Sequence, residues 1–245
     1  MHPRRIVLAA GLVFFVVGLV FVRFGEGIDA PALSAAFVVL MALPSYAALI
    51  RWLGVGRGLF LLLVFSLLPL AVEGFAVATG FPYGAFEYAG TLGEPLFGLV
   101  PWTVAFAYLP LLLGSVTLAS RLAGTDWRLF IPAAALLAVT VDLVIDPAAV
   151  HAGFWIWESP GLYYGIPAVN FLGWALTGAL YAALFYLAVR DRFGRNEPVP
   201  LAVASSMLLI LAFWSGYLLR EHLLLPVAVG LLLIGLLLCA CSRGS

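Results

Sequence analysis

The chain has 245 residues, 64% of them hydrophobic and 10% charged, with no net charge and a mean hydropathy of +1.14. An ordinary globular chain is about one-quarter charged, and a water-soluble fold cannot hide this much apolar surface. Balanced charge excludes a nucleic-acid partner and a polybasic lipid-binding surface; all twelve basic residues are arginine, so no lysine exists to form a retinal Schiff base.

Membrane lipid is the partner that composition demands. Backbone N–H and C=O groups find no water in hydrocarbon, so each crossing takes about 20 apolar residues wound as a helix. The expected fold is an all-α, polytopic transmembrane helical bundle, one integral membrane domain over residues 1–245. Composition sets no oligomeric state.

From the amino terminus, Met1 to Arg5 and the apolar run behind them imitate a signal peptide. The run reaches Val22 with no small-residue cleavage site after it, so it reads as a retained first helix. Apolar runs then follow near 32–50, 58–79, 98–120, 129–147, 167–189, 200–219 and 223–241, separated by short polar or Gly/Pro-rich breaks. This gives about eight helices, with seven possible because the last break, Arg220-Glu221-His222, is tight. Cys239 and Cys241 on the last run are too close for an ordinary disulfide and too few for a metal site.

Short cytoplasmic loops concentrate arginine. Alternating the crossings puts Arg4, Arg5, Arg51, Arg57, Arg121, Arg128, Arg190, Arg192, Arg195 and Arg243 on one side and only Arg23 and Arg220 on the other, so both termini are expected in the cytoplasm. The two longest loops, about 80–97 and 148–166, then face outward. They are rich in Gly, Pro and aromatics, a make-up that often carries function, although position alone would make Trp155, Trp157, Tyr163 and Tyr164 an interfacial aromatic belt.

Ionisable groups inside a span cost about 2.5–3.5 kcal/mol each on insertion scales, so they mark function by default. Three carboxyls qualify: Glu73 about two turns below the outer end of helix 3, Asp142 similarly placed in helix 5, and Asp146 at that helix's outer end. A spacing of four puts the two aspartates on one face. Ser66, Pro69 and Glu73 form one stripe of helix 3, and Asn170, Trp174, Thr177 and Tyr181 one of helix 6, and these stripes are expected to converge on an interior pocket. No basic residue sits at matching depth, so a dry carboxyl favours its neutral form, the state a general acid needs, and a second acid nearby can supply the base. A faint internal echo accompanies them: Glu73 precedes Gly80-Phe81 by the interval at which Asp146 precedes Gly153-Phe154.

Glu73 together with GFPYGAFEY (80–88), LGEPLFGLVPW (92–102), DLVIDPAAV (142–150), GFWIW (153–157) and GLYYGIPAVNFLGW (161–174) resembles the carotenoid hydratases of the bisanhydrobacterioruberin hydratase or carotenoid 1,2-hydratase type. The resemblance covers helices 3 to 6, about 58–189, the expected functional core. It implies addition of water across the terminal isoprenoid double bond of an acyclic carotenoid, giving a tertiary alcohol with no metal or other cofactor. On this reading Asp142 or Glu73 donates the proton, while Asp146 and Asn170 position and deprotonate the water. Tyr83, Trp102, Trp155, Trp157, Tyr163, Tyr164 and Trp174 are the expected substrate contacts, some through cation–π attraction. The expected location is the cell membrane. A carotenoid or isoprenoid cyclase begins with the same protonation, and a proton-coupled transporter also places carboxyls in a bundle.

Overall fold

A computed structural model describes residues 3–21, 31–89 and 92–242. Eight α-helices dominate the described residues: α1 (Pro3–Val16, continued by a wider π turn, Val17–Phe21), α2 (Pro31–Leu53), α3 (Val55–Thr79), α4 (Val104–Leu122), α5 (Trp127–His151), α6 (Ala168–Phe193), α7 (Ser205–Arg220) and α8 (Leu224–Ser242). A short 3-10 turn, Leu201–Ala204, leads into α7. Six of these segments are long and apolar enough to cross a membrane, and Ile6–Val20 and Leu224–Ala240 are shorter apolar helices. The architecture is that of a polytopic membrane helix bundle. Arg23 and Arg243, both used to set the sidedness, lie outside the described residues, as do the side chains of Arg4, Arg5 and Cys241.

The helices end where local chemistry stops them. Asp126 opens α5 by accepting from the Arg128 backbone N–H at 3.0 Å, satisfying one of the donors that a helix start leaves free. α7 closes with His222 in the left-handed conformation (φ 60°), its N–H bonded to Leu219 O and that of Leu223 to Leu218 O. That double closure separates α7 from α8 within the tight Arg220-Glu221-His222 break.

Two departures from the apolar runs matter. α4 starts at Val104 rather than near 98, because the preceding segment folds into a hairpin of β2 (Pro95–Leu96) on β3 (Val100–Pro101). α5 runs on through Pro147 to His151, so Asp146 lies inside the last turns rather than at the helix end. The bundle also carries β structure the all-α expectation did not include: β1 (Phe86–Tyr88) pairs antiparallel with β4 (Trp155–Trp157), Tyr88 opposite Trp155 and Phe86 opposite Trp157. This ribbon ties the two long loops together.

Arginines cluster at the opposite end. Arg57, at the start of α3, pairs with Asp191 near the end of α6 (2.5 and 2.9 Å) and also donates to Ala188 O. Arg192 and Arg195 both bond Glu197, and Arg121 Nε donates to Val199 O at 3.1 Å. These contacts lie at the helix ends farthest from the ribbon.

Candidate active site

Glycines in the left-handed conformation end both acid-bearing helices on the ribbon side. Gly80 (φ 76°) follows α3 and Gly153 (φ 73°) lies just past α5, a conformation that costs an L side chain but not glycine. Each helix then feeds one strand of the β1–β4 ribbon. The echo between the two segments therefore has a structural counterpart: two helix ends deliver one carboxyl each, Glu73 and Asp146, to the same cavity.

That cavity has a volume of about 450 Å³ and lies beneath the ribbon, among the ends of α2 to α7. Its polar groups are few: Glu73, Asp146, Asn170, Ser34, Thr103 and the hydroxyls of Tyr83, Tyr88 and Tyr108. Aromatic and aliphatic side chains form the rest, among them Phe86, Phe106, Phe154, Trp155, Trp157, Trp174 and Trp214. Among the described residues no arginine or histidine lines it, and no group of three or more histidine, cysteine or carboxylate side chains is disposed to hold a metal ion.

Asn170, near the start of α6, organises the acids. Its side-chain amide donates to Asp142 Oδ2 at 2.8 Å and to Asp146 Oδ2 at 2.5 Å, with all three side chains buried. Asp146 and Asn170 reach the cavity wall, whereas Asp142, one turn deeper, does not. The second oxygen of Asp142 is buried without a hydrogen-bond partner. Across the cavity, Glu73 is 7% exposed and accepts from the Tyr88 hydroxyl at 3.1 Å.

The cavity floor is aromatic and hydrogen-bonded. Tyr108 stacks on Trp174, ring centroids 4.5 Å apart and planes 14° from parallel, and its hydroxyl meets that of Tyr83 at 2.8 Å. Tyr83 in turn donates to Thr177 at 3.2 Å. Gly173 makes room for this group, since a Cβ there would stand 2.4 Å from Tyr83 Cδ1 and 2.8 Å from Pro82 O. Tyr181, on the same stripe of α6, is buried below the floor.

A family model described as "Carotenoid biosynthesis protein" matches residues 30–237. The chain belongs to that family. It is also 38% identical over 151 residues to the bisanhydrobacterioruberin hydratase of Haloarcula japonica, an alignment covering 60% of this chain and 50% of that protein. The chain thus spans about half the length of the curated relative it matches. No solved structure matches the chain.

For this carotenoid biosynthesis protein, four of the seven expected substrate contacts, Tyr83, Trp155, Trp157 and Trp174, line the cavity. Trp102, Tyr163 and Tyr164 do not. Trp102 lies edge-on to Phe106 at 5.8 Å, one layer behind the wall. Tyr163 does a different job: Pro147 has no N–H to give the carbonyl one turn back, and the Tyr163 hydroxyl bonds that carbonyl, Leu143 O, at 2.8 Å. Tyr164, at φ 51°, packs against Tyr163 and is partly exposed. Glu87, on β1, and Glu94 and Glu158, in loops, are exposed acids. Sequence reasoning missed Tyr88 and Tyr108, and the wall from α2 and α7, where Phe37, Met41, Phe213 and Trp214 face inward.

Proposed function

We propose that the protein is a carotenoid hydratase, adding water across the terminal isoprenoid double bond of an acyclic carotenoid such as bisanhydrobacterioruberin or a lycopene-like chain. The observation that carries this reading is the placement of two carboxyls, Glu73 and Asp146, from two helices on one apolar, aromatic cavity. The name of the Haloarcula japonica relative supports it.

In the proposed reaction Glu73, as the carboxylic acid, gives its proton to the less substituted carbon of the terminal double bond. The other carbon becomes a tertiary cation. Water attacks that carbon while Asp146 takes the water's proton, leaving the tertiary alcohol, an ionised Glu73 and a protonated Asp146, and one proton exchange resets the pair. Asn170 holds Asp146 in place through its 2.5 Å bond and links it to Asp142, so that the two aspartates act as a unit. The faces of Trp174, Trp155 and Trp157 suit the transient cation, an attraction worth up to about 2 kcal/mol when water is excluded. Carboxyl, amide and water account for every step, so the scheme calls for no cofactor.

The setting is proposed to be the cell membrane, with eight crossings, both termini cytoplasmic and the cavity toward the outer face. A cyclase would share the protonation but let an internal double bond capture the cation. A transporter needs polar access from both ends, whereas the carboxyl site here is gathered at one end. The test is mass spectrometry of pigments from cells that make lycopene or bisanhydrobacterioruberin, with and without the protein, grown in heavy-oxygen water. The expected result is a gain of one or two labelled waters; unchanged mass with altered retention would make the protein a cyclase, and unchanged pigments would remove the enzyme reading.

A further inference from the structure

We infer that Tyr88 is a positioning residue that selects which oxygen of Glu73 delivers the proton and stabilises the carboxylate left behind; this rests on the reading of Glu73 as the acid. The Tyr88 hydroxyl donates to Glu73 Oε2 at 3.1 Å, and among the described residues no other hydrogen bond to that carboxyl accompanies it. With Oε2 engaged as an acceptor, the transferable proton resides on Oε1. As that proton moves to the substrate carbon, its bonding electrons stay on the carboxylate, and the Tyr88 bond becomes charge-assisted and stronger. Tyr88 keeps its own proton throughout. An interaction that strengthens along the reaction lowers the barrier rather than tightening substrate binding.

The seat of Tyr88 is built for this. It belongs to β1, directly opposite Trp155 of β4, and its ring is held edge-on by Trp155 at 6.0 Å and by Phe86 at 5.5 Å. The ribbon joining the two long loops therefore fixes a hydroxyl over an acid that belongs to a helix. Short strands in otherwise helical surroundings gain a purpose on this account. They carry the group that helices α3 and α5 cannot supply.

The experiment measures kcat and KM of the full-length Tyr88→Phe variant, purified into liposomes, on an acyclic carotenoid. The expected result is a kcat lower by about tenfold to a hundredfold, the effect of losing one hydrogen bond to a charged group, with KM within roughly twofold of wild type. Glu87→Gln, an exposed neighbour on the same strand, is expected to leave both constants unchanged. Fluorinated tyrosines at position 88, which retain the shape and the hydroxyl, are expected to change kcat in step with phenol acidity. That series decides the matter even where Tyr88→Phe accumulates poorly.

Unchanged kcat in Tyr88→Phe, a raised KM with kcat kept, or a flat fluorotyrosine series would overturn the inference. Glu73→Gln separates the two levels. If it abolishes turnover while Tyr88→Phe is neutral, only the role of Tyr88 fails. If Glu73→Gln keeps full turnover, the acid assignment fails and the role of Tyr88 with it.

Discussion

Replacing Asn170 with leucine, which is similar in size, tests whether one amide holds the acid pair. The substitution removes the donor to Asp142 Oδ2 and Asp146 Oδ2. Asp142 has a second oxygen already buried without a partner, and the substitution takes the amide donor from its other oxygen. A hydrogen bond to a charged group contributes about 1.5–3 kcal/mol and a neutral one about 0.5–1.5 kcal/mol. With one charge shared by the two aspartates, the loss is about 2–4 kcal/mol. For a chain of this size each kcal/mol moves the thermal midpoint by about 2–4 °C, so the shift is on the order of 10 °C. Unfolding of membrane proteins in detergent is commonly irreversible, so variant and wild type are compared at one heating rate. Turnover, followed by mass spectrometry of pigments, is expected to fall at least about a hundredfold, the equivalent of about 2.7 kcal/mol in the barrier. Wild-type midpoint and wild-type turnover in Asn170→Leu would refute the reasoning. A lowered midpoint with full turnover would reduce Asn170 to a helix fastener.

Asp146→Asn, at the cavity wall, is expected to abolish product at unchanged protein abundance, whereas Asp142→Asn, one layer back, retains a measurable fraction; the reverse order would exchange their roles. Gly173→Ala drives a methyl into Tyr83 and Pro82 O, an overpacking worth about 1–3 kcal/mol, visible as a lowered midpoint. Tyr163→Phe leaves Leu143 O unpaired near Asp146 and is expected to cost about 1–3 kcal/mol with little change in KM, since Tyr163 is off the cavity wall. Arg57→Ala breaks a half-exposed pair at the far end, where such pairs contribute about 0–1 kcal/mol, and turnover is expected to be unaffected.

The acids were legible in the sequence because a carboxyl in a hydrophobic run is costly whatever surrounds it. Glu73, Asp142 and Asp146 could be found on that ground, Asn170 on the polar stripe of helix 6, and helical spacing placed the two aspartates on one face. What spacing could not show is depth. Residues one turn apart share a face, yet Asn170 closes the cavity wall at Asp146 and leaves Asp142 behind it. The end of helix 5 is misplaced in a similar way, since the apolar run closes at 147, four residues short of the end of α5. The helix continues because Tyr163, from a loop distant in sequence, bonds the carbonyl that Pro147 leaves unpaired.

Aromatic loops gave the opposite difficulty: Trp155 and Trp102 have equal claims from composition. Only the pairing of Phe86-Glu87-Tyr88 with Trp155-Ile156-Trp157 decides between them. Both segments alternate between faces of the ribbon, a signal present in the sequence but too short to stand out among membrane helices. The inward residues of α2 and α7 carried no such signal, because an apolar side chain facing a cavity and one facing lipid look alike in a hydrophobic run.

The division of labour follows from these constraints. A polyene of forty or fifty carbons, the proposed substrate, is about as long as the hydrocarbon core is thick, about 30 Å, so a cavity of about 450 Å³ would admit an end of it and not the whole. On the proposed reading, the chemistry at that end needs few residues in fixed positions, supplied by α3, α5, α6 and the ribbon. The rest of the wall needs only apolar volume, and α2 and α7 supply it with Phe37, Met41, Phe213 and Trp214. On the proposed reading, enlarging Met41 or Ile210, which also lines the cavity, would change which carotenoid ends fit and leave the acid pair intact, whereas any loss at Glu73 or Asp146 would stop the reaction for every substrate alike.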